Sequence, residues 1–247
     1  MSPPRFYNPP PLPSGAAFEL PPEAAHHAHR VLRLRVKDPV QIFDGEGNAL
    51  NATIGEISGK RVVLEGLNPC ATEPQPPLHI VLAQAMCSSE KMDWVVQKAT
   101  ELGAAEIQPV QTQRSVAKLS GERIERRTEH WRGVTIAACE QCGRNVLPQV
   151  HAPREFSAWL AQGRGIPGTG YILLPEAATT LHEQPALQGK VTLLIGPEGG
   201  FSVDEARLAR QVGFVPIRLG KHVLRTETAA IAGIAALQTL WGDFRPG

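Results

Sequence analysis

The sequence predicts an α/β protein with a second, smaller β-rich domain at its N-terminus. Short strand-like runs joined by glycine-rich turns come first and indicate a small barrel or sandwich. The proline-rich segment Asn68 to Pro77 then interrupts the pattern, as is typical of a linker. Beyond it, apolar runs of strand length alternate with helical patterns, which favours a largely parallel sheet. We therefore predict a β-rich domain at 1–72 and an α/β domain at 73–247.

Hydrophobic periodicity and turn residues place each element along the chain. The strand-like runs of the β-rich part are Val40 to Phe43, Ala49 to Ile57 and Arg61 to Glu65. The predicted strands of the α/β part are Leu78 to Ala83, Ile107 to Val110, Tyr171 to Leu174, Val191 to Ile195 and Phe214 to Leu219. The predicted helices are Met92 to Leu102, Arg123 to Cys142, Glu155 to Leu160, one from about Val203, and Glu227 to Trp241.

Two of these helices carry further expectations. The apolar side of the first is predicted to consist of Trp94, Val95, Ala99 and Leu102. The last helix is small and apolar on nearly all sides, so it should be buried on most of them. We expect it to lie beneath a partner subunit.

Composition limits the classes of protein that this chain can form. A hydrophobic content of 42% predicts a folded core. Because the formal net charge is only +1, any basic surface must be local. The N-terminus lacks an apolar signal core, and no apolar run approaches the roughly 20 residues of a spanning helix. We expect a soluble, cytoplasmic protein without a membrane partner.

The pair Cys139-x-x-Cys142 admits a zinc or redox interpretation. A structural zinc site needs four ligands, and Cys70 and Cys87 do not form a second pair. The pair also falls inside a helical pattern instead of following a strand. We expect reduced cysteines and no metal.

The N-terminal arm, residues 1–25, is rich in proline and is predicted to be extended and mostly irregular. Phe6 and Tyr7 are candidates to tie it to the rest of the chain. The basic segment His26 to Lys37 follows, with three histidines but no carboxylate, which disfavours a metal site. Its arginines form either a solvated face or a contact for phosphate, and both interpretations stay open.

The most informative stretch is residues 195–202, Ile-Gly-Pro-Glu-Gly-Gly-Phe-Ser, which follows a buried strand. Ser202 and Glu205 form a capping box, so a helix begins directly after the glycine loop. Glycines lack Cβ atoms, so a flat ligand can lie directly on the main chain there. A second strand-to-loop switch follows at Gly220, and in parallel sheets the carboxyl ends of strands share the edge that binds ligands.

A second glycine motif is rejected as a binding site. Gly163-x-Gly165-x-x-Gly168 matches the dinucleotide fingerprint, but it follows a predicted helix, contains Pro167 and leads into a strand. A true fingerprint follows a strand and opens a helix. We interpret it as a loop.

Six segments together resemble the SPOUT superfamily of RNA methyltransferases and, more narrowly, the ribosomal RNA small subunit methyltransferase E family, which methylates N3 of a uridine in 16S rRNA. The segments are His27 to Leu34, Ile42 to Gly45, Glu90 to Gly103, Ile136 to Asn145, Leu194 to Phe201 and Leu224 to Ala229. They follow the family's order along nearly the whole chain. His222 departs from the arginine that is frequent in the family, so we do not assign an essential cation there.

The resemblance implies an α/β trefoil-knot domain at the C-terminus, a PUA-like barrel that grips RNA at the N-terminus, and a homodimer formed through the C-terminal domain. It also implies S-adenosylmethionine as the cofactor and 16S rRNA or the 30S subunit as the partner. The residues expected at the cofactor are Leu174, Pro175, Ile195, Gly196, Pro197, Glu198, Gly199, Gly200, Leu219, Gly220, Leu224, Thr226 and Ala229.

Methylation at N3 suggests roles for charged side chains. Uracil N3 attacks well only after its proton leaves, and a fixed cation beside the carbonyl oxygens would favour the ionised base. We hypothesise that Arg225 is this cation; the alternative is that it only braces the loop through Glu198 or Glu227. Both glutamates are candidates for a base or for loop architecture. The residues nominated for RNA contact are Arg5, Arg30, Arg33, Lys91, Arg114 and Arg144, each of which is otherwise a solvated cation.

Two other functions remain compatible with the sequence. One is a non-catalytic RNA-binding or ribosome assembly factor that retains the fold. The other is a methyltransferase of the same superfamily that modifies a ribose hydroxyl or tRNA. The stretch 139–145 and the N-terminal domain favour the ribosomal uridine.

Overall fold

The computed structural model describes residues 3–162 and 168–245, and its chain divides into two compact units. The first unit comprises residues 1–74 and 139–147, and the second comprises residues 75–138 and 148–247. Gly163 and Gly165 of the rejected glycine motif lie outside the described residues. Within the described ranges, none of the helices combines the length and the apolar character that crossing a membrane requires.

The first unit is built on a five-stranded sheet in the order β1-β3-β4-β5-β2. The β1 and β3 strands pair in parallel, and the remaining neighbours are antiparallel. A short helix, α1, continues into a further helical turn at residues 27–31. The elements of this unit are β1 (Arg5–Tyr7), β2 (Ala17–Glu19), α1 (Pro22–His26), β3 (Pro39–Phe43), β4 (Ala49–Ser58) and β5 (Arg61–Pro69).

The N-terminal arm differs from the prediction of irregular chain, because β1 and β2 form the two edges of this sheet. Each is a proline-free tripeptide between prolines, so its backbone N–H groups are available for pairing. Phe6 is 1% exposed and packs with Val40 and Ile42 in the core of the unit. The expectation that Phe6 ties the arm to the rest of the chain is therefore confirmed.

The second unit contains a seven-stranded sheet in which every pair is parallel, as predicted. The strand order is β12-β10-β11-β6-β7-β8, and β9 also pairs with β7. Its strands are β6 (Leu78–Ala85), β7 (Glu106–Gln111), β8 (Gln149–Val150), β9 (Arg154–Glu155), β10 (Thr169–Leu173), β11 (Gly189–Ile195) and β12 (Val215–Ile217). Its helices are α2 (Ser89–Glu101), α3 (Glu122–Cys142, whose last residues belong to the first unit), α4 (Phe156–Gln162), α5 (Val203–Gln211) and α6 (Thr226–Trp241).

Helices cover both faces of this sheet, because alternate strand residues point to opposite sides. Leu193 belongs to the core that α2, α3 and α6 cover, whereas Leu194 belongs to the core beneath α4 and α5. The α6 helix lies very close to the sheet, since a Cβ added to Gly233 would meet Leu193 Cδ2 at 2.6 Å. Glycine at this position therefore permits the close approach.

One face of α2 is not as predicted. Trp94 is 43% exposed, whereas Met92, Val95, Val96 and Ala99 are fully buried. The buried side of α2 is therefore formed by Met92, Val95, Val96 and Ala99, and Trp94 lies outside it. The strands β10, β11 and β12, in contrast, end where predicted to within two residues, and they bring three loops to one edge of the sheet.

Candidate active site

A cleft of about 590 Å³ opens at the carboxyl edge of the parallel sheet. Its walls are the loops that follow β10, β11 and β12, together with the start of α6. Because β10 pairs with both β11 and β12, these three loops leave adjacent strands. All thirteen residues nominated for the cofactor line this cleft, and Arg225 lines it as well. The structure thus brings the predicted set together; its binding role stays a prediction.

Close contacts at Gly196 and Gly199 and a left-handed backbone at Gly200 favour glycine in the loop after β11. A Cβ on Gly196 would approach the Phe201 ring to 3.1 Å, and one on Gly199 would meet Arg114 Cβ at 3.3 Å. Gly200 has φ +67°, a left-handed conformation that favours glycine. The loop therefore offers bare main chain to the cleft.

The predicted capping box fixes the end of this loop. Ser202 Oγ accepts a hydrogen bond from the Glu205 N–H, and Glu205 Oε2 accepts one from the Ser202 N–H at 2.8 Å. Glu205 is buried, and its Oε1 accepts a second backbone hydrogen bond from Gln113 at 2.7 Å. One carboxylate thus ties the loop after β7 to the helix that follows the glycines.

A buried hydrogen-bonded chain holds the same loop from the other side. Thr226 Oγ1 lies 2.6 Å from Gly196 O and 2.9 Å from Gln84 Nε2. The hydroxyl has one proton, which it donates to the carbonyl, so it must accept from the Gln84 amide. Gln84 is fully buried and also donates to Ala85 O. Sequence analysis missed Gln84; its only sequence signal is a polar residue inside an apolar strand run.

The side chains of Lys91, Glu198 and Glu227 form an ion-paired group at the cleft. Lys91 Nζ lies 3.0 Å from Glu198 Oε1 and 3.5 Å from Glu227 Oε2. Its hydrogen bond with Glu198 raises the pKa of Lys91. Burial opposes ionisation of Glu198, but hydrogen bonds from its own backbone and from Lys91 outweigh it and lower the pKa of this carboxyl. RNA contact by Lys91 stays a prediction, although its ammonium is engaged by two carboxylates.

Arg225 occupies the N-cap position of α6, and its side chain is exposed at the cleft. Within residues 3–162 and 168–245, no carboxylate forms an ion pair with it. Glu198 and Glu227, the two bracing partners considered from sequence, contact Lys91 instead. The guanidinium is therefore available to a ligand.

Two more arginines at the cleft donate to loop carbonyls. Arg114 Nη1 donates to Gly199 O at 2.9 Å, which favours a bracing role beside its predicted RNA contact. Arg218, which sequence analysis missed, lines the cleft and donates to Ala177 O and Ala178 O. His222 also lines the cleft as an exposed side chain.

The RNA candidates of the first unit fall into two groups. Arg5 donates to Arg144 O and Asn145 Oδ1, and its guanidinium lies 4.8 Å from the centroid of the Phe43 ring. These contacts favour a structural role for Arg5. Arg30 and Arg33 are exposed, whereas Arg144 is partly buried. RNA binding by Arg5, Arg30, Arg33 and Arg144 stays a prediction.

The cysteines show no metal arrangement. Cys70, Cys87, Cys139 and Cys142 form no disulfide bond, and the described part of the chain contains no group of three or more His, Cys, Asp or Glu side chains placed to hold a metal. A hydrogen bond with Cys142 and burial both raise the pKa of the Cys139 thiol. Burial raises the pKa of Cys87 to about 12, so this thiol at the end of β6 is protonated at neutral pH.

Comparison with known proteins places this architecture in a family. Residues 74–238 match the RNA methyltransferase domain family, and residues 20–65 match the RNA methyltransferase PUA domain family. The chain thus has the domains of an RNA methyltransferase. A ribosomal RNA small subunit methyltransferase E of Buchnera aphidicola is 31% identical over 98% of this chain and 95% of its own length. The chain belongs to the ribosomal RNA small subunit methyltransferase E family.

Two solved structures are similar over nearly the whole chain. A ribosomal RNA small subunit methyltransferase E from Neisseria gonorrhoeae, bound to S-adenosyl methionine, is 36% identical, with a TM-score of 0.90 and coverage of 99% of this chain and 100% of that one. A Legionella pneumophila protein, solved with the bound cofactor SAM, is also 36% identical, with a TM-score of 0.92 and coverage of 98% and 100%.

Proposed function

We propose that this chain transfers a methyl group from S-adenosylmethionine to N3 of a specific uridine in 16S rRNA. The observation that carries the proposal is the cleft at three adjacent strand exits, with bare glycine main chain on one wall and an unpaired arginine at its rim. Family membership and the ligands of the two similar structures support the choice of cofactor and of RNA class.

The residues of the cleft fit S-adenosylmethionine. A volume of about 590 Å³ lies within the roughly 300–1,000 Å³ of small-molecule sites. Gly196, Gly199 and Gly200 place no side chain over the main chain, although Gly196 O already accepts from Thr226 and Gly199 O from Arg114. A carbonyl oxygen has a second lone pair, so these two can still accept from the polar edge of an adenine. Leu174, Leu219 and Leu224 supply apolar walls for its faces. Bound there, the cofactor would supply a methyl group on a positively charged sulfur.

Arg225 prepares the acceptor in this proposal. When uracil N3 loses its proton, the negative charge spreads onto the two carbonyl oxygens. An exposed guanidinium at the rim of the cleft would stabilise that charge with its planar fork of N–H donors. The cleft then has to align donor and acceptor, because alignment supplies much of the acceleration in such displacements.

Glu198 and Glu227 are better suited to positioning the loops of the cleft than to accepting the N3 proton. Glu198 has a lowered pKa and is paired with Lys91, so it is a weak base at neutral pH. Glu227 shares the same ammonium at 3.5 Å. We assign the group a positioning role, in which Lys91 joins the glycine loop to the start of α6, and the N3 proton leaves to water.

We also propose the finer architecture that the resemblance implies. The β-rich part, 1–72, acts as a PUA-like barrel that grips RNA, and the part 73–247 is a knotted SPOUT domain. The domain forms a homodimer through α6, whose apolar residues Ile231, Ala232 and Ala236 are not fully buried within the unit. The substrate is 16S rRNA or the 30S subunit in the cytoplasm.

Nucleoside mass spectrometry tests the function directly. Naked 16S rRNA and 30S subunits are incubated with the protein and isotopically labelled S-adenosylmethionine, and the digested RNA should contain labelled 3-methyluridine. Label on a ribose or in tRNA would overturn the site assignment. Binding of rRNA without any transfer would instead indicate an assembly factor.

The role of Arg225 is tested with a matched arginine. Arg225→Ala should abolish transfer while affinity for S-adenosylmethionine, measured by calorimetry, stays within a few-fold. Arg207→Ala removes an equal charge from an exposed pair with Asp204 on α5 and should retain turnover. Near-normal turnover by Arg225→Ala would reject the proposed role.

A further inference from the structure

A second cleft, also of about 590 Å³, lies in the first unit. One wall is α1 with the helical turn that follows it, and the other is the turn between β4 and β5. Four of its lining side chains are basic: His26, His29, Arg30 and Lys60. Glu23 is the one acid among them. We call these four basic residues the basic cleft.

The permanent cations of the basic cleft lack the partners that neighbouring cations have. Arg61 pairs with Glu19 at 2.8 Å and with Glu56 at 3.8 Å. Lys60, the adjacent residue, forms no ion pair within the described ranges, and neither does Arg30. Glu23 offsets one of the two permanent cations of the lining, so the cleft keeps a net positive charge that an anion would balance.

A buried polar atom at the cleft also lacks a partner. His29 Nδ1 is shielded from solvent and makes no hydrogen bond to any described residue. An unsatisfied buried group costs about 1–3 kcal/mol, and a rotation of the imidazole that exposed Nδ1 to an anion in the cleft would remove this cost. The lining thus combines unpaired charge with unused hydrogen-bonding capacity.

The chain that follows this helical turn is strained at two cationic residues. Arg33 and Lys37, at φ 56° and 77°, are the two non-glycine residues with positive φ in the described parts of the chain. Such backbone costs about 1–2 kcal/mol for a residue with a Cβ, whereas glycine adopts it freely. Neither residue lines the cleft, so both stand outside the basic cleft.

Exposed apolar side chains flank the same cations. Val31 is 57% exposed and Val36 50% exposed, between arginines that are exposed as well. Cations and exposed apolar residues thus alternate along the segment 30–37, and a nucleic-acid strand offers matching partners because it presents phosphates between sugars and bases. A uniformly acidic peptide would leave the apolar groups uncovered.

We propose that the basic cleft binds one nucleotide of the RNA substrate through its phosphate, with Arg30 and Lys60 as the principal contacts and His26 and His29 as additional donors. This inference rests on the proposed function for the class of ligand. The inference adds His26, His29 and Lys60 to the residues that sequence analysis nominated for RNA contact. It assigns the first unit a site that recognises a phosphodiester.

Lys60 and Arg61 provide a matched test, because they are adjacent, exposed and equally charged, but only Lys60 lines the cleft. Binding of a fluorescein-labelled single-stranded RNA is measured by anisotropy over a range of salt concentrations. Lys60→Ala and Arg30→Ala should each weaken binding about 3- to 10-fold and lower the salt slope by about 0.7. Arg61→Ala should change affinity less than about twofold, because an exposed ion pair contributes little.

Thermal unfolding separates loss of contact from loss of fold. The melting temperatures of Lys60→Ala and Arg30→Ala should stay near that of the wild type, because both side chains are exposed and form no ion pair in the described residues. Equal weakening by Lys60→Ala and Arg61→Ala, or none by either, would overturn the basic cleft. If the wild type still methylates rRNA in that case, the proposed function stands without the cleft. If the wild type binds no RNA at all, the basic cleft is overturned, and labelled methyl transfer to 30S subunits then decides the proposed function separately.

Discussion

Removing the hydroxyl of Thr226 should loosen the glycine loop without changing the shape of the core. Thr226→Val keeps the branched side chain but deletes a donor to Gly196 O and an acceptor for Gln84 Nε2. Thr226 is 5% exposed, so water does not readily replace the hydroxyl at the glutamine. One N–H of the buried Gln84 amide is then left without a partner.

The size of the effect follows from these two hydrogen bonds. An unsatisfied buried N–H costs about 1–3 kcal/mol, and the lost hydrogen bond to Gly196 adds about 1 kcal/mol. We expect the free energy of unfolding to fall by about 3 kcal/mol. The freed loop also spends part of its time in conformations that do not bind, so the Kd for S-adenosylmethionine should rise about tenfold, equal to about 1.4 kcal/mol.

Denaturant unfolding and calorimetry measure the two quantities. Thr228→Val is the control, since Thr228 lies in the same helical turn but is exposed. Thr226→Ser keeps the hydroxyl and should retain most of the cofactor affinity. A double-mutant cycle with Gln84→Leu should show coupling. The double variant should lose less unfolding free energy than the sum of the losses in Thr226→Val and Gln84→Leu. Wild-type affinity in Thr226→Val would refute the hydrogen-bonded chain as a support of the loop.

Three further changes test other parts of the account. Gly199→Val should abolish binding of S-adenosylmethionine by calorimetry while the protein stays folded; since the new Cβ would meet Arg114 Cβ at 3.3 Å, the melting temperature should fall modestly, and retained binding would exclude the glycine loop. Gly233→Val drives a side chain into Leu193 and should lower the free energy of unfolding by several kcal/mol, of which overpacking alone contributes about 1–3 kcal/mol. An unchanged denaturation midpoint would contradict the close approach of α6 to the sheet. Burial alone would raise the pKa of Glu106, but hydrogen bonds from Lys190, His79 and His151 outweigh it and lower the pKa from 4.5 to about 2. The folded pKa is the lower one, so this carboxylate stabilises the fold above about pH 4.5 and the contribution is lost as the pH falls toward 2. Glu106→Gln should lower the unfolding free energy at pH 7 by about 1–3 kcal/mol, and the difference from wild type should shrink below pH 4.5; a pH-independent difference would contradict the pairing.

Local patterns were sufficient to predict the parallel sheet and the position of the cleft. Five apolar runs became strands, and the capping box of Ser202 formed as its residue spacing indicates. The carboxyl ends of parallel strands lie at one edge of the sheet in any strand order. The loops after β10, β11 and β12 could therefore be placed at the same edge from sequence. Periodicity was less reliable for α2, where Trp94 proved exposed.

Contacts between distant residues could not be predicted from a single sequence. Gln84 and Thr226 are 142 positions apart, and Lys91 and Glu198 are 107 apart. No local pattern specifies such pairs, because they arise only when the order of strands in the sheet is fixed. The same reason explains the edge strands β1 and β2, whose three residues carry too little periodicity to distinguish them from irregular chain.

A crystal structure determined after soaking with S-adenosylmethionine tests the central claim most directly. The account predicts the ligand between the loops that follow β10, β11 and β12, with its adenine against the main chain of Gly196 to Gly200 and Arg225 near its methyl group. A ligand bound at any other place, or full-length protein that takes up none at saturating concentration, would contradict it.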